Sequence, residues 1–132
     1  MKKGFIAAIL MILVSRSQAW AAPSAPFDLE VECATATAVE LGWSIRTNST
    51  GVALERAEGL ENFRVVGTMP ACICGGLYQF DYYDMLVQPG KQYFYRARAF
   101  DTLPGGKGAS YSPYSNIVVI NTPAMTFGAA CQ

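Results

Sequence analysis

Hydrophobic side chains recur at every second position through most of this chain, and a period of two marks strands with one face buried and the other wet. The clearest case runs from Asp84 to Asp101, DMLVQPGKQYFYRARAFD. After the Pro89-Gly90 corner, Tyr93, Tyr95, Ala97 and Ala99 share one face, while Phe94, Arg96, Arg98 and Phe100 share the other. The first set is the better core candidate. A helix is disfavoured by the opening Pro-Gly, the crowd of aromatics and the lack of an apolar stripe at three-and-four spacing.

The same alternation predicts six more strands. Phe27, Leu29, Val31 and Cys33 alternate with Asp28, Glu30 and Glu32; Ala34 to Ala38 turn the chain; then Val39, Leu41, Trp43 and Ile45 alternate with Glu40, Gly42, Ser44 and Arg46. Beyond the polar connection Thr47 to Gly51, Val52 and Leu54 are the inward positions of a third strand ending at Glu55-Arg56. A turn from Glu58 to Asn62 leads to a fourth strand, Phe63 to Thr68, and then to a loop, Met69 to Gly76, that holds Pro70 and two cysteines. Tyr78, Phe80 and Tyr82 alternate with Gln79, Asp81 and Tyr83 in the fifth strand, and the Asp84 to Asp101 stretch supplies the sixth. Thr102 to Pro113 reads as a long Gly-rich connection, and the seventh strand, Asn116 to Asn121, contains the unbroken run Ile117-Val118-Val119-Ile120. Seven short strands punctuated by turns, without a repeat or a second domain, predict an all-β, seven-stranded antiparallel β-sandwich of the immunoglobulin-like kind.

The N-terminus breaks this pattern. Lys2 and Lys3 precede an apolar run from Phe5 to Val14, and a polar Ser15 to Gln18 leads to Ala19-Trp20-Ala21. This is the layout of a cleaved secretory signal, residues 1–21, before a domain over 22–123 and a tail over 124–132. The apolar run is too short for a span, which needs about 20 residues, so a secreted or periplasmic protein with no membrane span in the mature chain is expected. Cleavage removes three of ten basic residues and none of ten acidic ones, leaving a net charge of −3. Such a balance gives no electrostatic footprint for nucleic acid.

Taken in order, several short motifs resemble the fibronectin type III family over Pro26 to Pro123. They are a proline before Leu29-Glu30-Val31, Leu41-Gly42-Trp43, Leu54-Glu55-Arg56, Asp84 followed by Val87, Pro89-Gly90 and Tyr93, then Tyr95-Arg96-Ala97-Arg98-Ala99, and Ser112-Pro113-Tyr114-Ser115-Asn116. The resemblance implies that Trp43 is the central core aromatic, beside Leu41 and Leu54. It also implies that Tyr93 is a tyrosine-corner residue whose hydroxyl bonds to backbone a few residues upstream. Val52 and Val87 depart from the family's usual tyrosine and leucine; the aromatics at Tyr78, Phe80 and Tyr82 are candidates to fill the space.

Little in the chain speaks for catalysis. Histidine is absent, which removes the usual general base and the commonest metal ligand. Asp81 and Asp84, the nearest carboxylate pair, read as strand-end and turn residues. No cofactor is expected and the chain is not expected to be an enzyme. Cys72-Ile73-Cys74, with Met69 nearby, is the sharpest local feature and supports a second reading, a small cysteine-based metal-binding or redox protein. Arg56, Arg96 and Arg98 with Phe94 read as the solvated side of a sheet. Asn48-Ser49-Thr50 is a glycosylation sequon in an expected loop.

Four cysteines in an exported chain point to disulfides. If the strand order is that of the resembled family, Cys33 and Cys131 meet at one pole of the sandwich. Cys72 and Cys74 then lie at the other, bonded to each other or free. The same order gathers the loops Arg46 to Gly51, Met69 to Gly76 and Thr102 to Pro113 at one end, with Asn48, Lys107 and Tyr111 as candidate binding residues. The leading expectation is therefore a non-enzymatic module that binds another exported protein or a cell-surface polysaccharide.

Overall fold

A computed structural model describes residues 21–46, 49–71 and 75–125. The signal segment up to residue 20, Asn48, Cys72, Cys74 and Cys131 lie outside the described residues. Among the described residues eight strands form: β1 (Phe27–Ala34), β2 (Val39–Arg46), β3 (Gly51–Ala57), β4 (Arg64–Pro70), β5 (Leu77–Asp84), β6 (Gln92–Thr102), β7 (Ala109–Tyr111) and β8 (Val118–Asn121). They make two antiparallel sheets, one ordered β1-β2-β5 and the other β4-β3-β6-β7, with β8 also paired to β6.

The inward positions of both sheets meet in one core. Leu41, Trp43 and Ile45 of β2 face Val52 and Leu54 of β3 and Tyr93, Tyr95, Ala97 and Ala99 of β6, all buried. Trp43 stacks on Phe80, its register partner in β5, with ring centroids 6.0 Å apart. Ala97 and Ala99 are small where the large aromatics of the facing sheet need room, which is how two inner faces interdigitate at near-crystalline density. Val52 and Val87 are buried too. Tyr82 closes the neighbouring edge: its hydroxyl donates to Val66 O at 2.9 Å and its ring lies 2.6 Å from where a Cβ on Gly67 would sit.

The last strand differs from its reading in the sequence. Ala109–Tyr111, taken as part of a connection, pairs with Phe100 to Thr102, while Val118–Asn121 pairs with Gln92 to Tyr95. Between them two serines replace strand pairing. Ala99 N donates to Ser112 Oγ at 2.8 Å and Ser112 N to Ala99 O at 2.9 Å; Ala97 N donates to Ser115 Oγ at 2.9 Å and Ser115 N to Ala97 O at 2.7 Å. A strand interrupted by side-chain pairing carries no alternation for the eye to find. Ile117 and Val119 are exposed, whereas Val118 and Ile120 pack against the core, so the apolar run is a one-sided edge.

Smaller departures have local causes. β1 buries only Leu29 fully, because register shifts between Phe27 and Glu30 and between Val31 and Cys33 break its alternation. β4 extends to Pro70 and so shortens the loop expected from Met69.

Candidate functional site

Antiparallel order sends the β1–β2, β3–β4 and β5–β6 turns to one pole and the β2–β3, β4–β5 and β6–β7 connections to the other. The first pole is fastened by backbone. Gln88 N donates to the Tyr93 hydroxyl at 2.9 Å, and Thr122 accepts at Oγ1 from Lys91 N at 3.0 Å and at its carbonyl from Gly90 N at 3.1 Å. Cys33 lies near this pole and is not a free thiol.

The second pole is organised by Thr50 and Asp101. Thr50 N donates to Asp101 Oδ1 at 2.8 Å and to Phe100 O at 3.0 Å, and Thr50 Oγ1 donates to Asp101 Oδ1 at 3.3 Å. Thr50 Oγ1 in turn accepts from Thr102 N at 3.2 Å, and Thr50 O accepts from Ala71 N at 2.9 Å. One threonine thus ties the ends of β3, β4 and β6 together at this pole. Beyond it, Leu103 N donates to Gly108 O at 2.9 Å across a 3-10 turn at Pro104–Gly106, and Lys107 is exposed next to that turn. Tyr111 is not a loop residue: it ends β7, with its ring half exposed.

That ring belongs to a ladder on a face that the sequence pattern predicts to be plainly solvated. On the outer side of the larger sheet, Arg96 lies 4.0 Å from the Phe63 ring centroid and 3.7 Å from that of Tyr114. Arg98 lies 4.9 Å from Tyr114 and 3.8 Å from Tyr111. Rings and guanidinium groups therefore alternate, an arrangement favoured by the negative faces of the rings. Arg96 Nε also donates to Glu55 Oε2 at 2.9 Å, and the Tyr114 hydroxyl donates to Glu55 Oε1 at 3.3 Å. Burial, followed by Glu55, raises the Tyr114 pKa.

The ladder also explains why β3 is buried on both faces. Phe100, Arg98, Arg96 and Phe94 stand in register with Gly51, Ala53, Glu55 and Ala57, and a Cβ on Gly51 would come 2.6 Å from the Phe100 ring. A signal for it is present in the sequence. Tyr111-Ser112-Pro113-Tyr114-Ser115 repeats Tyr-Ser at a spacing of three, opposite a strand that presents arginine at every second position.

The outer face of the smaller sheet has the opposite sign. Glu30, Glu32, Glu40 and Asp81 gather there, and burial, then Asp81, Glu40 and Glu30, raise the Glu32 pKa above its ordinary value. A groove of about 760 Å³ runs beside them, lined in part by Phe27, Trp43, Phe80 and Asn116. Among the described residues no group of three or more acidic, histidine or cysteine side chains is placed to hold a metal ion.

No family model matches the chain, and no curated protein matches it. Solved structures do. A structure described as a myokine has a TM-score of 0.55 at 18% identity, covering 77% of this chain and 99% of that one. The sensor domain of the anti-sigma factor RsgI4 of Pseudobacteroides cellulosolvens has a TM-score of 0.54 at 10% identity, covering 79% and 94%. A stretch of titin domains has a TM-score of 0.51 at 19% identity, covering 74% of this chain and 32% of that one. The chain has an immunoglobulin-like, fibronectin-like β-sandwich fold. At these identities the likeness concerns the fold alone. No helix among the described residues is long and apolar enough to cross a membrane.

Proposed function

We propose that this chain is an exported, non-enzymatic binding module of the fibronectin type III kind, which meets another exported protein or a cell-surface polysaccharide at the Thr50–Asp101 pole. The observation that carries this reading is the knot at Thr50, which fastens the ends of β3, β4 and β6 to one another at the pole from which three connections leave. Preorganised loops lose less conformational freedom on binding, and rigid sandwiches commonly carry function on such loops. Export rests on the N-terminal pattern, and a Cys33–Cys131 bridge suits the pole at which Cys33 and Thr122 lie. One of the structures that share its fold is a sensor domain, which agrees with a binding role. The cysteine-based metal or redox reading receives no comparable support.

Capture from the producing organism's envelope tests it. Tagged wild-type chain should retain a partner that a Lys107→Glu, Asp101→Ala double variant loses, while a Glu61→Lys variant at the opposite pole retains it. Equal capture by all three would overturn the reading.

A further inference from the structure

Arg98 stands out among the charged groups. Its Nε is buried without a hydrogen-bond partner, and it makes no ion pair with any described residue, unlike Arg56 and Arg96. A guanidinium has five donors; the shielded Nε is out of reach from solvent, so a partner from outside meets the terminal Nη groups of this half-buried side chain, whose charge no described carboxylate neutralises. Its surroundings specify that partner's shape. The guanidinium is held between the rings of Tyr114 and Tyr111, and it stands in register with Ala53, a buried residue whose small side chain leaves room for the arginine stem to lie over the sheet. Tyr111 is 47% exposed as a residue, and its ring stands as a flat apolar platform alongside a cation.

We propose that Arg98, clamped by Tyr111 and Tyr114, is the carboxylate-binding centre of a site for an acidic polysaccharide. The planar fork of arginine matches a carboxylate through two parallel hydrogen bonds, and the exposed ring beside it takes the apolar face of the sugar carrying that carboxylate. Stacking fixes the fork before binding, so little side-chain freedom is lost. The acidic cluster at Glu30, Glu32, Glu40 and Asp81 lies on the other sheet and repels the same polymer, so only one face of the sandwich is presented to it. The proposal goes beyond the binding-module reading, since it places this ligand on the outer face of the larger sheet and not at the Thr50–Asp101 pole.

Affinity electrophoresis of the mature chain through gels containing polygalacturonate, with dextran as the neutral control, tests it. Retardation is expected in polygalacturonate and not in dextran. Arg98→Gln should weaken it at least tenfold, and so should Arg98→Lys, which keeps the charge but loses the fork. Tyr111→Ala, at a half-exposed ring, should do the same and serves if either arginine variant fails to fold. The proposal is overturned if the wild-type chain is not retarded, if Arg98→Lys or Tyr111→Ala binds like wild type, or if poly-L-glutamate competes as well as oligogalacturonate. Absent retardation with loop-dependent envelope capture intact would remove this site and leave the module reading standing.

Discussion

The Asp84 carboxylate of the smaller sheet accepts Arg56 Nη1 of the larger sheet at 2.6 Å, joining the two layers by charge. Asp84 is almost fully buried, and its remaining capacity is taken up by the Tyr95 hydroxyl at 2.9 Å and Leu86 N at 3.0 Å. Burial works to lower the Arg56 pKa, but the hydrogen bond and charge of Asp84 prevail and hold it above its ordinary value. Breaking a buried pair by removing one partner costs about 3 to 5 kcal/mol. Asp84→Ala should fall at the lower end, because Arg56 still reaches water. Urea unfolding of the variant checks this; an unchanged midpoint would remove the network from the account of stability.

The same network sets an alkaline limit. Burial, then the charge of Asp84, push the Tyr95 pKa far above its ordinary 10.0. The neutral hydroxyl is thus favoured in the folded chain. Its contribution is complete below pH 10 and declines as pH rises beyond that value, since the unfolded chain gives up its proton first. Melting temperatures should fall between pH 10 and 12, and the Tyr95 phenolate should appear in ultraviolet absorbance only with unfolding. A reversible tyrosinate signal in folded protein, traced to Tyr95 by its loss in Tyr95→Phe, would contradict this.

Acid on the outer face works in the opposite sense to an ion pair. Because the folded pKa of Glu32 is raised, its carboxylate is less favoured in the folded chain than in the unfolded one, and stability declines as pH rises through the range above 4.5. Glu32→Gln should therefore melt above wild type at pH 7 and show a smaller gain at pH 4. A gain that is equal at both values would place its origin elsewhere.

Trp43 and Tyr93 divide the structural work between packing and hydrogen bonding. Trp43→Ala empties the space against Phe80 and should cost about 3 to 5 kcal/mol, a large share of a total of about 5 to 15. Tyr93→Phe keeps the ring and leaves Gln88 N without its acceptor, a loss of about 0.5 to 1.5 kcal/mol. Chemical denaturation of the two variants should rank them in that order, and a Trp43→Ala midpoint equal to wild type would contradict the core.

Alternation made β2, β5 and β6 legible, because each turns its large apolar residues, Leu41 and Trp43, Phe80, and Tyr95 among them, to the core and mostly small or polar residues to the other face. β3 was legible through its inward Val52 and Leu54, but the cover on its other face was not: Ala53 and Glu55 lie under the β6 arginines, and an alternation of apolar and polar positions predicts that face to be wet. β7 is too short to show a period. The loop pole was placed through the family topology, but its fastening by Thr50 and Asp101 depends on residues 51 positions apart and has no local signature. Cation-π stacking is likewise invisible to a pattern of hydrophobic and polar positions, since it counts arginine as solvated.

The most direct test of the binding role is site-specific photo-crosslinking in the producing cells. A photoreactive residue at position 107, beside the tied loops, should give a discrete adduct with an envelope component, and the same residue at position 61, on the opposite pole, should give none. An adduct at position 61 without one at position 107 would contradict a ligand met at the Thr50–Asp101 pole.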